Sequence, residues 1–219
     1  MKGEQERQRY LQARSLVKPA DFWETVDAWP LYVGTKNLQR YIFLLTLLGR
    51  IDDIPGDVAE FGCWKGATTS FFAKVLSHTS KTVHAFDSFA GFDAQLTEAK
   101  QLRSNYKGSL EELKTMLEVN GLTGAVEFHV GDICETVLEL NPRLSLVLID
   151  CDVYEPCIAA LQRCHGLLQP GGMIVFDEWN DPAWPGETQA CEEFLAEHGG
   201  DYVRESTPVT QPSLVLVKR

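Results

Sequence analysis

Hydrophobic positions follow two alternating patterns along most of this chain. Short, continuous apolar runs alternate with segments whose apolar residues recur every three or four positions. The runs predict strands at Val58–Phe61, Thr82–Phe86, Val126–Val130, Leu144–Ile149 and Met173–Phe176. The segments between them predict helices near Ala67–Ser77, Leu110–Asn120, Cys134–Leu140 and Glu155–Leu168. Apolar strands that alternate with helices are typical of a parallel sheet covered on both faces.

The two ends of the chain extend this pattern. The first 50 residues read as helical, with an apolar stripe at Leu38, Tyr41, Ile42, Leu45 and Leu48. A further helix, Glu187–His198, precedes two runs, Asp201–Glu205 and Ser213–Val217, which we expect to form an antiparallel pair. The prediction is a doubly wound α/β domain over 54–219, with a seven-stranded, mostly parallel sheet. Residues 1–53 form a helical N-terminal extension or lid in this division.

Composition narrows the class of protein. The 219 residues carry 20 Lys and Arg against 31 Asp and Glu, a net charge of −11. Such a chain repels nucleic-acid phosphates and anionic lipid, so we expect neither as a partner. No apolar run approaches the roughly 20 residues of a membrane span, and the polar start lacks a signal-peptide core. We therefore expect a soluble cytoplasmic enzyme. A homodimer is compatible with the sequence, although no residue pattern requires one.

The cysteines predict free thiols. There are six, at Cys63, Cys134, Cys151, Cys157, Cys164 and Cys191. None forms a CxxC pair, and no Cys/His group has zinc-finger spacing. We expect buried thiols and no structural zinc. Four of the five histidines also suggest no chemistry: His84 and His129 fall inside predicted strands, where packing is expected, and His165 and His198 fall near helix ends.

Acidic residues stand at the end of every predicted parallel strand. They are Glu60, Asp87, Asp132, Asp150 and the pair Asp177-Glu178. In an open parallel sheet, ligands bind in the crevice outside the carboxyl ends of the strands. A single acid at such a place is usually a helix cap or a solvated residue. Acids at all five strand ends on one edge predict a shared binding site.

The first three acids favour a cationic nucleoside ligand. Glu60 precedes a turn in which Gly62 permits a tight bend and Gly66 permits close ligand approach. The turn lacks the G-x-G-x-x-G spacing of dinucleotide sites, which disfavours an NAD-dependent oxidoreductase. An acid at this position suits the positive sulfonium and amino groups of S-adenosylmethionine. Asp87 is then placed to accept hydrogen bonds from the ribose hydroxyls, and Asp132 to meet the adenine amino group.

The remaining acids suggest a metal. Asp150, Asp177 and Glu178 end two strands that we expect to be neighbours, so their side chains can converge. Hard oxygen ligands with room for water suit Mg²⁺ or another divalent cation. Asp152 is an alternative ligand, but our preferred interpretation is a helix cap, because a helix is expected to begin near Glu155.

These residues resemble a known family, the class I S-adenosylmethionine-dependent methyltransferases, and within it the macrocin O-methyltransferase (TylF-like) group. The similar stretches lie between about Tyr32 and His198 and include Ile54–Gly66, Phe86–Phe92, Asp150–Glu155 and Pro170–Glu178. The resemblance implies a Rossmann-like fold, S-adenosylmethionine as methyl donor, a divalent cation, and methylation of sugar hydroxyls in natural-product biosynthesis. Asp150 and Asp177 match the first two metal carboxylates. Glu178 stands where the family usually has Asp.

The expected reaction is in-line transfer of a methyl group to an acceptor hydroxyl. A bound Mg²⁺ is expected to lower the pKa of that hydroxyl. Asp150 is the expected proton acceptor. Ser88 and Ile133, next to Asp87 and Asp132, complete the expected cofactor-binding set.

Aromatic residues are candidates for covering the site. The loop with Trp179, Asn180 and Trp184 is placed either to roof the acceptor or to pack at the surface. For Trp29 and Tyr32, packing before the core helix is the preferred interpretation, and a lid over the donor is the alternative. Two other functions stay open. One is a metal-dependent phenol or catechol O-methyltransferase, and the other is a non-catalytic module that binds S-adenosylmethionine.

Overall fold

The computed structural model describes residues 35–91, 106–209 and 211–219, so Trp29 and Tyr32, the candidates for a lid, lie outside the described residues. The α-helices are α1 (Thr35–Arg50), α2 (Ala67–Leu76), α3 (Leu110–Val119), α4 (Ile133–Thr136), α5 (Tyr154–Leu167) and α6 (Pro185–His198). The strands are β1 (Asp57–Phe61), β2 (Val83–Asp87), β3 (Val126–Val130), β4 (Leu144–Ile149), β5 (Leu168–Phe176), β6 (Tyr202–Ser206) and β7 (Leu214–Lys218). Short 3-10 turns occupy Thr123–Ala125, Val137–Glu139 and Gly199–Asp201.

The strands form one seven-stranded sheet in the order β3-β2-β1-β4-β5-β7-β6. Strands β1 to β5 pair in parallel, whereas β7 runs antiparallel to both β5 and β6. The mostly parallel sheet and the final antiparallel pair are therefore confirmed. The direction of winding reverses between β1 and β4, and the crevice at such a reversal is where doubly wound sheets bind their ligands.

Helices cover both faces of the sheet. On one face, Phe61, Phe86 and Ile149 belong to a core that also holds buried side chains of α5 and α6. On the other face, Val58 and Leu148 pack with buried residues of α1 and α2. Helix α1 thus contributes to the core of the sheet, while the division of the chain at residue 53 stays a prediction.

Two elements differ from the expected pattern. Strand β5 begins at Leu168 rather than Met173, because the segment Pro170–Gly172 continues the strand through an irregularity. The register with β4 shifts between Leu144 and Leu146, which accommodates the extra residues. The predicted helix Cys134–Leu140 is divided into the short α4 and a 3-10 turn. Within the described residues, no helix has the length and apolar character needed to cross a membrane.

Candidate active site

Two glycines shape the turn between β1 and α2. Gly62 has φ of +90°, and a Cβ there would collide with the carbonyl oxygen of Asp150 at the end of β4. Gly66 has φ of +77°, occupies the N-cap of α2, and faces the side chain of Leu113 so closely that a Cβ would overlap it. Since other residues rarely adopt these angles, the turn depends on glycine at both positions.

A cavity of about 410 Å³ opens where the loops after β1, β2, β3 and β4 meet. Five residues of the expected cofactor-binding set line it: Gly62, Asp87, Ser88, Asp132 and Ile133. Asp150 and Asp152 line the same cavity from the β4 side. The sheet thus brings together residues as far apart in the sequence as Gly62 and Asp152, as the strand-end pattern predicts.

Asp87 and Asp132 each hold a loop in place. The Asp87 carboxylate accepts hydrogen bonds from the backbone N–H of Trp64 at 2.7 Å and of Phe89 at 2.6 Å. Asp132 is the N-cap of α4 and accepts a hydrogen bond from the N–H of Cys134 at 2.9 Å. A carboxylate oxygen has a second lone pair, so both residues keep acceptor capacity toward the cavity.

Glu60 and Gly66 are not among the described residues that line the cavity. Glu60 is 1% exposed and accepts a hydrogen bond from the Thr69 hydroxyl at 2.6 Å. Burial raises its pKa to about 8, even though this hydrogen bond acts in the opposite direction. Glu60 therefore lies beneath the loop that it was expected to serve, and Gly66 acts through the backbone shape of that loop. Their direct contact with the donor stays a prediction.

Asp150, Asp177 and Glu178 converge at the ends of β4 and β5. Each offers a carboxylate oxygen, and these oxygens all lie within 4.8 Å of one another. Burial, followed by the charges of Asp150 and Asp177, raises the pKa of Glu178 to about 12. Its Oε1 accepts a hydrogen bond from Gln211 at 2.6 Å, whereas its buried Oε2 has no hydrogen-bond partner among the described residues.

Arg40 of α1 bridges two of these carboxylates. One guanidinium nitrogen donates to Asp150 Oδ2 at 2.7 Å, and the other donates to Asp177 Oδ1. Burial alone would lower the pKa of Arg40, but the two carboxylates outweigh it and raise that pKa well above its ordinary value. The sequence carries no signal for the role of Arg40, because only the fold brings α1 across the ends of β4 and β5.

Two further acids enlarge the cluster. Helix α5 begins at Tyr154, and Val153 occupies its N-cap without a side-chain hydrogen bond, so the interpretation of Asp152 as a cap is wrong. Asp152 instead faces the cavity, and burial followed by Asp150 and Asp177 raises its pKa to about 8. Glu187, in the first turn of α6, is fully buried and accepts a hydrogen bond from the N–H of Glu178 at 2.9 Å. Burial raises the pKa of Glu187 well above its ordinary value.

Aromatic residues border the cavity. Trp64 and Tyr106 line it, with ring centroids 6.0 Å apart, and Trp184 packs edge-on against Tyr106 at 5.9 Å. Trp184 is therefore positioned near the cavity, as a roof residue requires. Trp179 packs against the hydrophobic core beneath β5. The backbone N–H of Asn180 donates to the Thr188 hydroxyl at 2.7 Å, which ties the loop to α6.

A sequence model of the macrocin-O-methyltransferase (TylF) family matches residues 26–203, which is most of the chain. The chain belongs to this family. It is therefore an S-adenosyl-L-methionine-dependent O-methyltransferase. The resemblance seen in the sequence is confirmed, including its approximate limits.

Two relatives of this TylF family member are similar at low identity. One is the 8-demethyl-8-(2,3-dimethoxy-alpha-L-rhamnosyl)-tetracenomycin-C 4'-O-methyltransferase of Streptomyces olivaceus, 28% identical over 193 residues, which cover 80% of this chain and 70% of the relative. The other is the mycinamicin III 3''-O-methyltransferase of Micromonospora griseorubida, 27% identical over 164 residues, which cover 68% of this chain and 63% of the relative. The chain thus spans roughly two thirds of their lengths.

The fold is also found in a solved structure. The calicheamicin methyltransferase CalS11 superposes with a TM-score of 0.74 over 98% of this chain and 91% of that protein, at 22% identity. At this identity the similarity concerns the fold, and it confirms the Rossmann-like class I methyltransferase architecture.

The acid cluster of this family member fits a divalent cation. Asp150, Asp177 and Glu178 supply only oxygen donors, which suit Mg²⁺ or a similar hard ion. The unpartnered, buried Oε2 of Glu178 marks one lone-pair site that the described residues leave unused. The single guanidinium of Arg40 faces Asp150 and Asp177, and Asp152 is close enough to contribute to the raised pKa of Glu178. A buried excess of carboxylates of this kind is stabilised by an added positive charge.

Proposed function

We propose that this chain transfers a methyl group from S-adenosylmethionine to a hydroxyl of a sugar carried by a small natural product, with a divalent cation held by Asp150, Asp177 and Glu178. One observation carries the proposal. Asp150 lines the donor cavity and also belongs to the carboxylate cluster. A donor in the cavity and an acceptor oxygen beside the cluster would therefore be close neighbours, which is the arrangement that direct group transfer requires.

The choice of acceptor rests on the relatives. One is named for a reaction on a rhamnosyl-tetracenomycin and the other for a reaction on mycinamicin III. A sugar hydroxyl has a high pKa, so a positive charge and a proton acceptor beside it make its oxygen a better nucleophile. The cation would supply that positive charge and fix the oxygen. No nucleic acid or membrane takes part in this proposal.

Asp152 is our candidate for the proton acceptor, in place of Asp150. The carboxylate of Asp150 is engaged by Arg40 at 2.7 Å and is shared with the proposed cation site. Asp152 lies two residues after Asp150, lines the same cavity and does not cap α5. A base acts best when its pKa lies near the operating pH, and the pKa of Asp152 is raised to about 8.

An aromatic acceptor is the second candidate. Trp64 and Tyr106 line the cavity, and such rings favour a flat phenol or catechol by stacking. The same rings also pack well against the apolar face of a sugar. The acceptor class is therefore decided by comparing substrates.

The proposal is tested by mass spectrometry of acceptors incubated with the protein and S-adenosylmethionine. A rhamnosyl glycoside, its aglycone and a catechol are compared, each with and without EDTA followed by Mg²⁺. Asp177→Asn removes one proposed cation ligand, and Asp53→Asn, an exposed acid outside the site, is the matched control.

We expect one methyl group on the glycoside alone, lost with EDTA, restored by Mg²⁺, and strongly reduced only in Asp177→Asn. Methylation of the catechol but not the glycoside would replace the sugar by an aromatic acceptor. Full activity in EDTA, or in Asp177→Asn, would contradict the role of the cation.

A further inference from the structure

A second group of metal-ligating side chains lies away from the acid cluster, on neighbouring strands β2 and β3. His84 pairs in register with Glu127, and His129 is two residues further along β3, so all three side chains share one face of the sheet. Each offers one ligand atom, and these atoms lie within 4.8 Å of one another. None of the three lines the cavity described above.

The hydrogen bonds of His84 fix which ring nitrogen can bind a metal. Its Nε2 lies 3.3 Å from Asp57 Oδ2, and a carboxylate accepts, so Nε2 carries the proton. The other nitrogen, Nδ1, then presents a lone pair, and it lies 3.1 Å from His129 Nε2. A histidine whose far N–H donates to a carboxylate is the usual arrangement of a metal ligand with its supporting residue.

The spacing of the donor atoms suits a tetrahedral ion. Ligands about 2.0–2.1 Å from a tetrahedral Zn²⁺ lie about 3.3 Å from one another. The two histidine nitrogens are 3.1 Å apart, and the Glu127 carboxylate lies 3.7 Å from His84 Nδ1 and 3.8 Å from His129 Nε2. The Glu127 side chain is 60% exposed, so small movements of it would shorten these two distances to the tetrahedral spacing.

We propose that His84 Nδ1, His129 Nε2 and the Glu127 carboxylate form a binding site for Zn²⁺ or a similar transition-metal ion, with Asp57 as the residue that orients His84. The fourth position faces solvent beside Glu127. On binding, the proton between the two rings moves from His129 Nε2 to its Nδ1, so both rings stay neutral. The ion cross-links β2 and the edge strand β3, and nitrogen donors distinguish this site from the all-oxygen cluster.

The prediction that this chain holds no structural zinc rested on Cys and His spacing. His84 and His129 are 45 positions apart, and parallel pairing of their strands brings them together, which no short motif encodes.

Another pair of histidines provides an internal comparison. His165 and His198 lie near Asp201, but their rings stack, with centroids 4.1 Å apart and an interplanar angle of 24°. The lone pairs of a histidine lie in the plane of its ring, so nearly parallel stacked rings do not aim them at one point. His165 Nδ1 is also engaged by the Tyr202 hydroxyl at 3.0 Å.

The test is titration of the full chain with Zn²⁺ by calorimetry, and with Co²⁺ by visible absorption, which reports tetrahedral coordination. His129→Gln removes one ligand, and His165→Gln is the matched control. We expect Zn²⁺ affinity to fall at least about tenfold in His129→Gln, with loss of the tetrahedral Co²⁺ bands, and no change in His165→Gln. Asp57→Asn should weaken Zn²⁺ binding by about 10–100-fold.

Glu127→Gln, at an exposed position, serves as a second ligand variant should His129→Gln fail to fold; it too is expected to weaken Zn²⁺ binding. Equal Zn²⁺ affinity in the folded ligand variants and in His165→Gln, or no tetrahedral Co²⁺ spectrum in the parent chain, would overturn the proposal.

Discussion

The two halves of the strand-end crevice are held together in opposite ways. In the proposed donor half, formed by Gly62, Asp87, Ser88, Asp132 and Ile133, both carboxylates accept hydrogen bonds from backbone N–H groups. In the cation half, formed by Asp150, Asp152, Asp177 and Glu178, carboxylates face one another, and burial raises the pKa of three of them. The donor half is complete within the protein, whereas the cation half depends on positive charge, from Arg40 and from the proposed ion.

Removing the proposed base should have the largest effect. Asp152→Asn keeps the size of the side chain but cannot accept the acceptor's proton, so we expect kcat to fall by about 10²–10⁴. The KM for S-adenosylmethionine should stay near that of the parent chain, since the donor half is unchanged. Steady-state kinetics of both enzymes measure the two constants. A kcat within about threefold of the parent would show that a group other than Asp152 accepts the proton.

Replacing Arg40 should lower the stability of the protein when no metal is bound to the carboxylate cluster. Arg40→Met leaves Asp150 and Asp177 without their partner, and breaking a buried ion pair in this way costs about 3–5 kcal/mol. Urea unfolding in EDTA measures the loss. Added Mg²⁺ should recover part of it, because the freed carboxylates then bind the ion more tightly.

Arg50→Met is the matched control for that substitution. Arg50 pairs with Glu205, and both side chains are exposed to about 40%. Such a surface pair contributes about 0–1 kcal/mol. A similar loss of stability in the two variants, or no response of Arg40→Met to Mg²⁺, would contradict the difference drawn between the halves.

A substitution in the donor half should weaken donor binding and leave the Mg²⁺ affinity unchanged. Asp87→Asn removes a charge and one of two strong acceptors, and hydrogen bonds to charged groups contribute about 1.5–3 kcal/mol. We expect S-adenosylhomocysteine to bind about 10–100-fold more weakly, with unchanged Mg²⁺ affinity, both by calorimetry. Asp201→Asn, exposed and distant, is the control, and loss of Mg²⁺ binding in Asp87→Asn would show that the halves are coupled.

The last predicted effect is a change of stability with pH, and it concerns Glu60. Its pKa is raised to about 8 in the folded protein, so the folded state holds a proton that the unfolded state releases near its ordinary pKa. The free energy of unfolding therefore falls as pH rises from about 4.5 to about 8. Glu60→Gln lacks this titration and should be more stable than the parent by up to about 5 kcal/mol above pH 8, with little difference near pH 4.5. A constant difference across this window, measured by urea unfolding, would contradict the assignment.

Much of the donor half could be predicted from the sequence. Strand ends are marked by local patterns, and the crevice rule then places Asp87 and Asp132 at one cavity. The sequence carries no comparable signal for how deeply a side chain is buried below that edge of the sheet. Glu60 ends an apolar strand just as the others do, yet it is buried against Thr69.

The cation half was only partly predictable. Asp150, Asp177 and Glu178 follow from two neighbouring strands, and their convergence is confirmed. Arg40 and Glu187 come from helices α1 and α6, and their contacts depend on how those helices pack. Asp152 was misassigned because an acid just before a helix often caps it, whereas the N-cap of α5 is Val153, one residue further along the chain.

Calorimetric titration of Mg²⁺ into EDTA-treated, S-adenosylhomocysteine-loaded protein tests the central claim most directly, with the parent chain and Asp177→Asn measured side by side. The account predicts one saturable site in the parent and an affinity lower by at least about tenfold in Asp177→Asn. Absence of saturable binding in the parent, or equal binding in both proteins, would contradict a cation site at the ends of β4 and β5.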